Sequence, residues 1–134
     1  MASFFKEKLN ATATAAKAGN LDAAKAHWKD VIKKAWEREI TEIGMALPDP
    51  YADVRVNFGI DDVLIWESGI ALTEDDPVPV RTIDNRMTQI PRAVAETVPT
   101  LQRAHYALIL QKKWQLQQAI DDAETVDDVF KVRW

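Results

Sequence analysis

The chain contains no cysteine, which removes disulfide frameworks, thiolate zinc sites, iron–sulfur clusters and cysteine nucleophiles. Serine is nearly as scarce. Ser3 and Ser68 are the only two, and neither lies in a Gly-x-Ser-x-Gly nucleophile turn. With four glycines in all, no Walker or dinucleotide-binding loop can be assembled. The two histidines, His27 and His105, follow Ala24 and Gln102 at three residues' distance, so neither completes the Glu-x-x-His pair of a helical di-iron site. The zinc motif His-Glu-x-x-His is missing too. No cofactor, metal or catalytic set is expected from these residues.

Long apolar runs are also absent, none approaching the roughly 20 residues that span a bilayer, so no membrane partner is expected. The opening Met1-Ala2-Ser3-Phe4-Phe5-Lys6-Glu7-Lys8 lacks the charged-then-apolar order of a secretory signal. The expected location is cytoplasmic or within a virion, not secreted. A net charge of −4 does not favour nucleic acid, which needs a concentrated basic face.

What is present suits an ordinary globular fold. The 134 residues are 47% hydrophobic and 28% charged, which predicts one domain over 1–134 that needs no metal or disulfide staple. Three zones follow. Residues 1–47 read as a helical pair. Ser3 caps the first helix, Phe5, Leu9, Ala13 and Ala16 keep helical spacing, and Gly19 ends it. Asn20 then caps a second helix, whose face runs Leu21, Ala24, Trp28, Val31, Ile32, Ala35, Trp36, Ile40 and Ile43 until Gly44 closes it.

Residues 51–83 read as a small antiparallel meander of two to three strands. Val54, Val56 and Phe58 alternate with polar residues, and Gly59-Ile60-Asp61-Asp62 reads as a turn. Val63-Leu64-Ile65-Trp66 reads as a short apolar strand with a bulge at Ser68-Gly69, and Val78 to Ile83 as an edge segment limited by Pro77 and Pro79. Residues 84–134 return to helix. Asp84 begins a first turn, and a short helix occupies about 91–97. A long one runs from about Pro99 to Ala123, and Thr125 caps a last one with Asp128 in the reciprocal position. The fold class is therefore α+β and helix-dominated.

Four Asp-Asp pairs, at 61–62, 75–76, 121–122 and 127–128, sit at turns or helix ends, where aspartate bonds nearby backbone N–H groups. No calcium loop can be written around any of them. Five tryptophans are dense for this length. Trp28 and Trp36 share a helical face, whereas Trp114 lies among Gln111, Lys112, Lys113, Gln115, Gln117 and Gln118, as an interface anchor inside a polar rim would. Charge is uneven: residues 1–47 carry +2, residues 48–90 carry −6 and residues 91–134 balance. Lys25, Lys29 and Lys33 form a stripe at four-residue spacing.

These features predict a non-enzymatic assembly protein that forms a homo-oligomer or larger particle, a phage or viral component being one case. Its partner would be itself or other protein subunits. The expected contact residues are Trp114, Tyr106, Leu110, Phe130 and Trp134, with the stripe Lys25, Lys29 and Lys33 for steering. Two alternatives stand beside it. One is a protein-binding regulatory module working through the long helix. The other is a small enzyme around His105, Tyr106 and carboxylates of the acidic middle, which requires His105 within reach of an Asp or Glu in a pocket.

Overall fold

The computed structural model describes residues 17–134. The first expected helix, with Ser3, Phe5, Leu9, Ala13 and Ala16, lies outside the described residues. In chain order the elements are α1 (Lys17–Arg38), a π-helical turn (Glu39–Ile43), β1 (Met45–Ala46), β2 (Arg55–Val56), α2 (Ile60–Leu72), β3 (Val78–Arg81), β4 (Met87–Ile90), α3 (Arg92–Ala95), α4 (Val98–Asp122) and α5 (Val126–Lys131). The fold is α+β and helix-dominated, with two small antiparallel two-stranded sheets. No helix of the described residues is long and apolar enough to cross a membrane.

The described residues divide into two compact units, one made of residues 17–35 with Gln111–Trp134, the other of Trp36–Leu110. In the first unit, Ala24 and Ile32 of α1 meet Ile120 of α4 and Val129 of α5 in a buried core, with Leu21, Trp28, Leu116 and Phe130 packed around it. Trp28 does double duty. Its indole N–H donates to the Val132 carbonyl at 2.6 Å, and its ring meets Phe130 edge-on at 5.1 Å. Helix α5 begins as its residues predict: the Thr125 hydroxyl accepts the Asp128 N–H at 3.1 Å.

Gly19 and Asn20 depart from expectation, because both lie inside α1 instead of dividing two helices. A glycine inside a helix costs only about 1 kcal/mol. That is small beside burying the stripe of Leu21, Ala24 and Trp28, so the helix runs through.

The second unit differs more. Ile60–Leu72 is one helix, so the turn expected at 59–62 and the strand expected at 63–66 are both replaced. A short, apolar stretch has no period to separate helix from strand, and here local capping decides. The Asp62 carboxylate accepts the Gly59 N–H at 2.8 Å, while Asp61 and Asp62 place negative charge in the first turn. Gly69 sits within the helix with open space where a Cβ would be, so it breaks nothing. The antiparallel strands are divided between two ribbons, β1–β2 (Met45↔Val56, Ala46↔Arg55) and β3–β4 (Val78↔Ile90 to Arg81↔Met87). Asp84 belongs to the β3–β4 hairpin loop, in which Asn85 takes a left-handed φ of 64°, and no helix starts there. In this unit Val56, Phe58, Val78, Ile90 and Val98 are all fully buried.

Two arginines complete this unit by satisfying carbonyls that helix ends leave without partners. Arg55 donates to the Ile43 and Gly44 carbonyls at 2.8 and 2.7 Å, closing the π-helical turn. Arg92 donates to the Ile70, Thr73 and Asp75 carbonyls at 3.3, 2.6 and 3.0 Å, closing α2 and the loop after it. Its own backbone N–H is held by the Asp76 carboxylate at 3.1 Å. Arg92→Met keeps the stem and removes every donor. It is expected to destabilise the second unit by about 2 kcal/mol, the scale of lost charge-assisted bonds to half-buried acceptors. Urea unfolding would read this, and a loss within experimental error of zero would show the clamp to be dispensable.

Candidate functional site

Three concavities open on the second unit. The first, about 330 Å³, lies between α2 and β3 and is lined by Trp66, Gly69, Ile70, Val78, Val80 and Arg81, among others. Its charged groups are committed to structural bonds: Asp62 holds the Gly59 N–H and Arg81 bonds the Asn85 side-chain oxygen. The second, about 270 Å³, is lined by Ile60, Val63, Leu64, Arg103 and Tyr106. In the third, a shallow cleft of about 440 Å³, Tyr106 shares the wall with Glu37, Asp61 and Asp62.

His105 lines none of these three clefts. Its ring stands edge-on to Phe58 at 4.5 Å, and among the described residues no carboxylate forms an ion pair with it. Among the described residues no group of three His, Asp or Glu side chains converges closely enough to hold a metal ion. Two exposed carboxyls are held below their usual range, Asp30 by the hydrogen bond from Lys34 and Asp84 by that from the Thr82 hydroxyl. Both bonds are local surface contacts, and neither faces a nucleophile.

The residues expected to make contacts are split between the units. Tyr106 and Leu110 belong to the second, both half-buried, with the Tyr106 ring 6.0 Å from that of Trp36. Trp114, Phe130 and Trp134 belong to the first. Phe130 is packed on Trp28, and Trp134 is half-buried beneath the Lys112 ammonium, 4.4 Å from its ring centre. Trp114 alone of these stands out in solvent, at 58% exposure. Of the lysine stripe, Lys25 donates to the Asp121 carbonyl and Lys29 pairs with the Asp121 carboxylate, tying α1 to α4 within the first unit. Lys33 is exposed.

The surface that stands out is one the sequence reading missed. On α2, Ile60, Leu64, Ile65 and Leu72 are 59, 56, 67 and 87% exposed. At 100° per residue they fall, with exposed Ala71, within an arc of about 140°. Val63, Trp66 and Ile70 occupy the opposite, inward side. Large aliphatic side chains on a helix are normally covered, and on α2 only those on the inward side are. Acids frame the uncovered arc: Asp61 within it, Glu67 at its margin in an ion pair with Arg103, and Glu74 and Asp75 just beyond its end. The signal that would have revealed it is the i, i+4 spacing of Ile60 and Leu64 with two acids in the first turn between them, a helix start in place of a turn. No family model, no curated protein and no solved structure matches this chain.

Proposed function

We propose that this chain is a self-associating assembly protein, whose role is to join copies of itself through apolar surface and not to carry out a reaction. The observation that carries the reading is the uncovered aliphatic arc of α2, four large side chains exposed on a 13-residue helix. Several large aliphatic side chains exposed together on a small chain, with Asp61 and Ser68 set among them, mark a contact site.

Magnitude limits the strength of that contact. Covering four partly exposed aliphatic side chains contributes about 4–8 kcal/mol gross. Association costs about 4–15 kcal/mol in lost freedom. The arc by itself therefore supports weak pairing, and tighter assembly needs further contacts. The measurement is sedimentation velocity across the micromolar range. The natural chain is expected to show species above one chain mass, and the double variant Ile65→Glu, Leu72→Glu to weaken association at least about a hundredfold, because each carboxylate would have to be desolvated on pairing. A natural chain that stays monomeric at high micromolar concentration would sink the reading.

A further inference from the structure

We infer that the contact is head-to-tail: the α2 arc of one copy receives the Trp114 surface of the next. This rests on the self-association reading above and assigns the two faces that meet.

Charge decides between the two possible geometries. The second unit holds six basic and thirteen acidic residues, net −7, while the described residues of the first hold nine and seven, net +2. A two-fold contact of α2 arc on α2 arc would bring −7 against −7, with Asp61, Glu67, Glu74 and their copies crowded around one apolar seam. Like charges so placed oppose pairing. A contact of the first unit on the second brings +2 against −7, which steers the encounter and holds it.

Surface chemistry points the same way. Among the described residues, Trp114 is the only large apolar side chain of the first unit that is exposed. Its helical neighbours Gln111, Gln115 and Gln118 are exposed and uncharged; Gln118 donates to the Asp122 carboxylate at 2.9 Å, which leaves Gln111 and Gln115 to face an acidic rim. A broad, rigid aromatic surrounded by amides suits an aliphatic arc edged by carboxylates: the ring covers the arc and the amides donate to the acids. An interface of two different patches repeats from copy to copy, so it gives a ring or an open chain of subunits and not a closed pair.

Mixing two variants tests this. Ile65→Glu, Leu72→Glu spoils the α2 arc and leaves Trp114 intact; Trp114→Glu does the reverse, and all three positions are exposed. Each variant alone is expected to sediment as a monomer. Mixed, they keep one intact pair of faces and are expected to form a species of two chains and nothing larger. If the natural chain associates but the mixture stays monomeric, or if Trp114→Glu associates unaided, the head-to-tail assignment is overturned and self-association stands. If the natural chain does not associate, both fail. Salt needs no variant: association of the natural chain is expected to weaken about tenfold between about 50 and 500 mM sodium chloride. Strengthening with salt would equally overturn the assignment.

Discussion

Phe58→Ala is expected to lower stability by about 3–5 kcal/mol, measured by urea unfolding followed through near-ultraviolet circular dichroism. Phe58 is fully buried and, among the described residues, is the largest of the side chains wholly excluded from water. Removing a fully buried ring leaves a cavity that the surrounding packed core can close only in part. It also removes the edge-on contact with His105, worth about 0.5–1.5 kcal/mol beyond the buried area. Against a typical total of about 5–15 kcal/mol, such a loss leaves a marginal protein. Phe58→Leu, which refills much of the volume, is expected to cost less than half as much. Equal losses for the two variants would show that the site does not measure volume, and a loss below about 1 kcal/mol for alanine would remove Phe58 from the centre of the core.

The second large effect is expected at Gly44, where alanine should cost at least about 3 kcal/mol. Two penalties add. The backbone there has φ 70° and ψ −170°, a region that essentially only glycine occupies. In addition, a Cβ would stand 2.6 Å from the Val56 carbonyl oxygen and from Ile83 Cδ1. The side chain could swing away. The carbonyl could not, because Val56 is the ladder partner of Met45 next door. Gly69→Ala supplies the contrast. Gly69 lies inside α2 with nothing within 4 Å of a new Cβ, so alanine should stabilise by about 0.5–1 kcal/mol through helix propensity. Both changes would be read as shifts in the thermal midpoint, and effects of the same sign at the two glycines would refute this account of the backbone.

Much of the helical framework was legible beforehand because it is written locally. The stripe from Leu21 to Ile43 marked α1, Pro91 and Pro99 marked the starts of α3 and α4, and Thr125 with Asp128 marked α5. Each of these signals needs only neighbours within four residues, which is the range of capping and helical periodicity. Helix α2 was not legible for the same reason. Val63-Leu64-Ile65-Trp66 is apolar at every position, so neighbours within four residues show no period, and the Asp62 bond to the Gly59 N–H that starts the helix would serve a turn equally well.

Legibility of the expected contact residues divides in the same way. That Trp114 is ringed by amides follows from counting along a helix, and its exposure agrees. That Phe130 and Trp134 are half-buried, beneath Trp28 and Lys112, follows only from how distant segments pack. Lys25 and Lys29 read as a free stripe until α4 brings Asp121 to them.

The order of residues by itself determined the helix-dominated class, the missing chemistries of cysteine and glycine-rich loops, and an acidic middle flanked by less acidic ends. Those are properties of composition and short-range spacing, which folding cannot alter. Only the tertiary structure decided that Gly44 must lack a side chain, that Arg55 and Arg92 close helix ends from a distance, and that α2 shows its aliphatic side to solvent. Each of these depends on which surfaces meet through space, and burial is a relation between segments, not a property of any one of them.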